Sequence, residues 1–313
     1  MSWVIGIEGL RGAFPDGCAV TLGVFDGVHR GHAALVEATV RWAQAHAVPA
    51  VALTFEPHPA AVLTPDQHPP MLCPLMHRVQ KLLRLGIDCV IVQPFTQAFS
   101  HLSAAAFVEQ VLVQGIRARA VVVGDDFRFG HRRSGSVATL QAAGAFEVIA
   151  LPRVRDADGA PISSTRVREL ISAGQLEQAH ALLGEPYTWA GVVARGDGRG
   201  RTLGYPTANL MPIEPLLTPP EGVYACWAQL GAEAYPAAVS VGAPPMFENA
   251  RGRIEAYLIG LSDRDLYGRV LTLRFLKRLR PQQKFESIDA LLRQMAEDVN
   301  LVQQIAQEVQ SPR

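Results

Sequence analysis

The sequence has no net charge: 29 lysines and arginines balance 29 aspartates and glutamates over 313 residues. With no whole-molecule field to attract a polyanion, nucleic acid is not an expected partner. Long apolar runs are missing as well. The N-terminal stretch MSWVIGIEGLRGAF lacks the basic start and extended apolar core of a secretory signal, and no later stretch is long enough to span a bilayer. The expectation is a cytoplasmic protein that does not use membranes. Cysteine is scarce, with four residues at Cys18, Cys73, Cys89 and Cys226. None has C-x-x-C spacing, so core thiols are expected rather than a zinc site or a disulfide framework. A G-x-x-x-x-G-K-[ST] run is also absent, which removes the Walker-type phosphate loop.

What is present is apolar material, 49% of the residues, enough at this length for a core in each of two domains. Up to about residue 185, the strand-like AVTLGVF, PAVALTF, DCVIVQPF, RAVVVG and EVIALP alternate with helical segments such as PLMHRVQKLLRLG and SAAAFVEQVLVQG. That alternation predicts an α/β domain built on a parallel sheet. STRVRELISAGQLEQAHALLGEPY reads as a helical pair ending at Gly184 and Pro186. From Tyr187 the texture changes to short segments, YTWAGVVARG, GVYACWAQL, YPAAVSVG, RIEAYLIG and RVLTLRFLKRL, with Gly, Pro and Asp between them. These predict a small antiparallel β-barrel. A last helix follows, with Ile288, Leu291, Leu292, Met295, Val299, Val302 and Ile305 on one face. The expected domains are therefore 1–186 and 187–313.

Thr21 to His32, TLGVFDGVHRGH, joins an apolar strand to a helix through a glycine turn, an acid and two histidines. Helical spacing begins after Gly31, through Leu35, Val36, Val40 and Trp42. Unpaired N–H groups and the positive end of the dipole favour phosphate at such a helix start, and His29 and His32 can add donors. Gly23, Gly27 and Gly31 let backbone approach a ligand. A plain turn with two capping histidines satisfies the same residues. In ISSTRVREL, Ser163, Ser164 and Thr165 suit a second helix start with Arg166 and Arg168 in its first turn, either an anion site or an ordinary serine cap. VVVGDDFRFGHRRSGS carries Phe127 and Phe129, which suit stacking on a planar ring or simple core packing. The following His131, Arg132 and Arg133 read as a solvated basic face or a phosphate contact. TFEPHP, at Thr54 to Pro59, reads as a rigid wall.

In the barrel half, ARGDGRGRTLGYPTANL is a Gly- and Arg-rich loop whose amides could cradle phosphate, or a mobile linker. Thr207 and Asn209 offer neutral oxygens to a hard cation. Glu255 in RIEAYLIG is either a strand-borne general base or an outward surface acid.

The order of these residues carries a resemblance. G-x-F-D-G-x-H-x-G-H at 23–32 resembles the signature of the nucleotidylyltransferase superfamily, in the form found in the adenylyltransferase half of bacterial bifunctional riboflavin kinase/FAD synthetases. I-S-S-T-x-x-R is similar to that superfamily's second phosphate motif, and G-x-D-F-x-F-G at 124–130 and TFEPHP also match the family. The resemblance implies a Rossmann-like nucleotidylyltransferase domain in which Gly23, Phe25, Asp26, Gly31, Ser164 and Thr165 bind ATP. His29, His32 and Arg168 would act on its phosphates, while Asp126, Phe127 and Phe129 line the flavin end. G-x-G-R-G-x-x-L-G-x-P-T-A-N at 196–209 resembles the riboflavin kinase signature. It implies that Gly198, Gly200 and Thr207 meet ATP, that Thr207 and Asn209 hold Mg2+, and that Glu255 takes the proton of the ribityl 5'-hydroxyl. Arg280 in LRPQQKF would reach a phosphate on the flavin side. Riboflavin, FMN and ATP are the implied partners, and FAD and pyrophosphate the end products.

One segment departs from that pattern. SVGAPPMF places Ser240 and Pro244 where the family has asparagine, and Met246 where it has threonine. Polar groups are lost near the implied kinase site, since a methionine makes no hydroxyl hydrogen bond. Two rivals therefore stand beside the bifunctional reading: an FAD synthetase with a decayed kinase half, and a non-catalytic flavin sensor.

Overall fold

Strands that are mostly apolar without alternation need cover on both faces, and the first half of the chain meets that need with a six-stranded parallel sheet. The computed structural model describes residues 2–10, 12–195, 200, 203–242, 254–261 and 264–309. Strands β1 (Ser2–Ile5), β2 (Cys18–Leu22), β3 (Ala50–Glu56), β4 (Cys89–Pro94), β5 (Ala118–Gly124) and β8 (Glu147–Leu151) lie in the order β1-β4-β3-β2-β5-β8. A two-residue hairpin, β6 (Arg128–Phe129) and β7 (Gly135–Ser136), follows β5. Alternate β2 residues divide between two cores. Cys18, Val20 and Leu22 join Val51, Leu53, Ile91 and Val121 on one face, while Ala19 joins Ala52, Val90 and Ala120 on the other.

Helices α1 (Arg30–Ala45), α2 (Pro59–Leu63), α3 (Leu75–Arg84), α4 (Gln97–Ser100), α5 (Ala104–Ala106) and α6 (Val137–Ala143) connect the strands, with a π-helical stretch at Phe107–Gly115. From β2 the chain builds β3 and β4 on one side, then crosses to place β5 and β8 on the other. The ends of β2 and β5 thus flank a topological switch point, the position at which open α/β sheets bind ligands.

The second half begins with α7 (Ser164–Ser172) and α8 (Leu176–Leu183), the latter closed by Gly184 in a left-handed conformation, φ 77°. Strands β9 (Tyr187–Ala194), β10 (Ala208–Pro212), β11 (Gly222–Leu230), β12 (Glu233–Val241), β13 (Ile254–Leu258) and β14 (Val270–Arg280) close an antiparallel barrel in the order β10-β13-β12-β11-β14-β9. Ser287 caps α9 (Ile288–Glu308) by accepting the Ala290 N–H at 3.1 Å. This helix lays Val302 and Ile305 against Ala225, Leu276 and Trp227 of the barrel wall. All four cysteines are buried and unbridged.

Packing divides the chain into two compact units, Met1–Pro69 with Leu75–Ser163, and Pro70–Pro74 with Ser164–Arg313. The pair α7 and α8, which the sequence groups with 1–186, belongs by contact to the second unit, where α8 packs on β9 and β14.

Two expected outcomes follow from the second unit. Arg280 on β14 forks onto Asp298 of α9, with Nη2 to Oδ2 at 2.8 Å and both side chains largely buried. Removing one partner of such a pair strands a buried charge, so Asp298→Ala should cost about 3–5 kcal/mol, read from urea unfolding followed by tryptophan fluorescence. His180 of α8 is pushed from 6.5 to about 4, by burial first and by Arg274 against the opposing pull of Glu177. Because the unfolded chain binds that proton first, about 3 kcal/mol of stability should be lost as pH falls from 6.5 towards 4. The slope of the unfolding midpoint against pH should flatten in this window in His180→Leu.

Candidate functional site

The turn between β2 and α1 is the most constrained stretch of the first unit. Phe25 is fully buried with φ 54°, Gly27 has φ 76° and Val28 has φ 40°, so two non-glycine residues occupy the left-handed region. His29 is the N-cap of α1, and its Nδ1 accepts the His32 N–H at 3.3 Å. That bond fixes the neutral ring with its proton on Nε2. The two imidazoles stack with centroids 3.7 Å apart and planes 14° apart, and Phe25 meets the His32 ring edge-on at 5.3 Å. A Cβ on Gly31 would stand 3.1 Å from the His29 ring, so any other residue there would press on the stack.

Burial holds the His32 pKa well below 6.5, with His29, Lys81 and Arg78 adding to the effect in that order. Its Nδ1 is buried without a hydrogen-bond partner among the described residues. Gly23 and buried Asp26 complete this turn. The sequence motif is thus a neutral pair of imidazoles at a helix start, located at the switch point of the sheet.

Across the switch point, the end of β5 leads into the Asp125–Gly130 segment. Phe127 and Phe129 stack at 5.7 Å, and Phe129 also leans on Phe107 at 5.3 Å, in the core. The core reading of these rings therefore applies fully to Phe129, while Phe127 stays partly exposed. Asp126 forms an ion pair with Arg153. His131 bonds the Ser100 carbonyl at 3.1 Å, whereas Arg132 and Arg133 are exposed. His58 caps α2 by accepting the Ala60 N–H at 3.0 Å, in keeping with a rigid wall.

Sequence reasoning missed three residues here. Arg78 of α3 is completely buried, Lys81 is nearly so, and Glu56 at the end of β3 bonds Arg78 at 2.5 Å. The signal was present: Leu75, Arg78, Val79 and Leu82 share the apolar face of α3, so a charge stands where a hydrophobe is expected.

In the second unit, Ser164 and Thr165 open α7, and Arg168 Nε donates to the Pro70 carbonyl at 2.9 Å. On the barrel, directly opposed residues build a row. Asn209 faces Glu255, Glu255 faces Ser240, Ser240 faces Val223 and Val223 faces Arg280. Ile254, Ala256 and Leu258 are buried, whereas Glu255 is only partly so, as strand alternation requires. Thr207 Oγ1 donates to Glu255 Oε2 at 3.4 Å. Ser240 accepts from Gln282 Nε2 at 2.7 Å.

Gly200 also has a steric reason, because a Cβ there would lie 2.3 Å from the Tyr205 carbonyl oxygen. The Arg280 guanidinium donates to Asp298 and to the Pro281 carbonyl. Gly198, Pro244 and Met246 lie outside the described residues. Among the described residues no cluster of three or more His, Cys, Asp or Glu could hold a metal on its own.

The family model for FAD synthetase matches residues 12–166, and that for riboflavin kinase matches residues 183–306. The bifunctional riboflavin kinase/FMN adenylyltransferase of Escherichia coli strain K12 is 36% identical over 302 residues, covering 95% of this chain and 96% of its own. The protein of that name from Listeria monocytogenes is 37% identical over 283 residues, with 89% of each chain covered. A solved structure named Macrolide-efflux Protein, from Streptococcus pneumoniae, superposes with a TM-score of 0.81 at 32% identity, over 92% of this chain and 94% of that one. Among the described residues no helix is long and apolar enough to cross a membrane. On this combination of fold, site and likeness along nearly its whole length, the chain belongs to the family of bifunctional riboflavin kinases/FMN adenylyltransferases.

Proposed function

We propose that this chain makes FAD from riboflavin in two steps, phosphorylating riboflavin to FMN in the region 187–313 and adenylylating FMN in the region 1–186. The observation that carries the reading is a pair of side-chain arrangements, one in each unit: stacked His29 and His32 at a helix start, and Glu255 tied to Thr207 on the barrel. The first suits phosphate contacts and the second suits proton transfer.

In the kinase step the ribityl 5'-hydroxyl attacks the γ-phosphorus of ATP, ADP leaves, and Glu255 accepts the hydroxyl proton. The Thr207 hydroxyl donates to Glu255 Oε2 and so helps to aim the carboxylate. Gln282 bonded to Ser240 supplies a polar contact beside Glu255 where the family pattern has asparagine. In the adenylyl step an FMN phosphate oxygen attacks the α-phosphorus of ATP and pyrophosphate leaves, so no protein nucleophile is required. Neutral His29 and His32 act as hydrogen-bond donors to the phosphates, aided by the positive end of α1. Ser164, Thr165 and Arg168 are assigned to nucleotide phosphates, and Asp126, Phe127 and Phe129 to the flavin.

The hydroxyl of Thr207 and the amide oxygen of Asn209 are hard, neutral donors. Too few to enclose a cation by themselves, they fit Mg2+ shared with nucleotide phosphates, where it would neutralise charge. Four buried free thiols suit a reducing compartment, which supports a cytoplasmic location.

The test is to incubate the purified protein with riboflavin, ATP and Mg2+ and to separate the flavins by chromatography. FMN and then FAD are expected; formation of neither sinks the proposal, and conversion of FMN alone leaves only the synthetase half. Glu255→Gln should slow riboflavin phosphorylation by about 100-fold or more while FMN adenylylation continues. His32→Ala should do the reverse.

A further inference from the structure

We propose that Arg78 is a positioning residue for adenylyl transfer: its guanidinium grips the Val24 carbonyl and so fixes the turn that presents His29 and His32 to the nucleotide. The inference rests on the FMN adenylyl-transfer reading above, and extends it to a residue that reaches the substrate only through others.

Arg78 lies on the apolar face of α3 with no exposed surface, and its Nε is buried without a partner among the described residues. An apolar side chain of similar volume would pack here without stranding a donor. Core stability therefore does not explain the arginine, and its bonded partners do. Nη1 donates to the Val24 carbonyl at 2.8 Å and Nη2 to Glu56 at 2.5 Å. The same Val24 oxygen also accepts the Thr54 hydroxyl at 2.9 Å. One carbonyl at the end of β2 is thus held from β3 and α3 together.

That carbonyl belongs to the residue just before the strained turn. Phe25 at φ 54° and β-branched Val28 at φ 40° persist only where surrounding structure over-determines them. Arg78 and Thr54 fasten the turn at its start, and the His29 cap fastens it at its end. Loosening the first fastening lets Phe25 relax, and Phe25 is the ring that abuts His32.

Arg78 has a second consequence through charge. The groups acting on His32 are His29 from the turn, and Lys81 and Arg78 from α3. Glu56 of β3 is paired to Arg78, and Asp26 is buried in the turn itself. Arg78 and Lys81 disfavour protonation of His32, in addition to its burial. Loss of the guanidinium removes one of these cations and leaves Glu56 uncompensated, so His32 should take up a proton at higher pH. The acidic limb of the adenylyl-transfer profile should move up with it.

The test uses the full chain as wild type, Arg78→Met, Arg78→Lys and Thr54→Val. FMN-to-FAD turnover is measured at varied ATP and pH, riboflavin phosphorylation is measured in the same preparations, and the imidazoles are titrated by NMR. Arg78→Met should lose about 10- to 100-fold in adenylyl kcat with a smaller change in KM for ATP, as expected of misplaced groups. Phosphorylation should stay near wild type, and the His32 titration should move to higher pH. Arg78→Lys keeps the charge but grips one partner, so it should lower kcat while leaving the titration in place. Thr54→Val, nearly isosteric, should lower kcat several-fold. An equal fall in both activities would mark Arg78 as merely structural and overturn the proposal. If Arg78→Met does not fold, Thr54→Val and Arg78→Lys decide, and adenylyl turnover at the wild-type level in both overturns it. If wild type makes no FAD from FMN, the activity reading falls and this inference with it; if wild type does and the variants match it, this inference alone falls.

Discussion

Burial of β2 on both faces dictates where chemistry can occur in the first unit. A strand with no exposed residue has only its ends to offer, and a parallel sheet collects the same ends of all its strands on one edge. The switch between β2 and β5 lies on that edge, and α1 begins there with the positive end of its dipole. Glycines, histidines and a clamped carbonyl are arranged around that point. The barrel differs, because antiparallel register places Asn209, Glu255 and Ser240 side by side, each one residue from the end of its strand, without any helix terminus.

Much of this was readable from sequence, because it is local. Apolar runs without alternation gave the buried strands, regular short segments gave the barrel, and the turn TLGVFDGVHRGH announced a helix start through its own glycines and histidines. Serine at 287 and the apolar stripe of the last helix are equally local signals. The features that escaped depend on partners far along the chain. Nothing near Arg78 names Val24 or Glu56, and nothing near Arg280 names Asp298. Phe129 shows the same limit, since stacking on a ligand and packing on Phe107 demand the same side chain. The helical pair 164–183 joins the barrel unit through contacts of α8 with β9 and β14, which no spacing rule encodes.

The two sites also use charge in opposite ways. The pKa of His32 is held well below 6.5 by burial first and then by His29, Lys81 and Arg78, so in the proposed adenylyl step it would offer a phosphate direction rather than charge. Glu255 remains partly exposed and accepts a hydrogen bond from Thr207, an arrangement compatible with the proton acceptance proposed for it.

The buried cysteines acquire a meaning from the flavins. Flavins carry electrons readily, and a thiolate is oxidised far more readily than a buried thiol. Burial pushes Cys18 up to about 12, with Cys89 adding to it, and lifts Cys226 well above 9.0. Burial raises Cys89 as well. A protein that handles redox-active substrates thus keeps these sulfurs protonated and out of reach, and its own side chains stay chemically silent while the electron carrier is assembled.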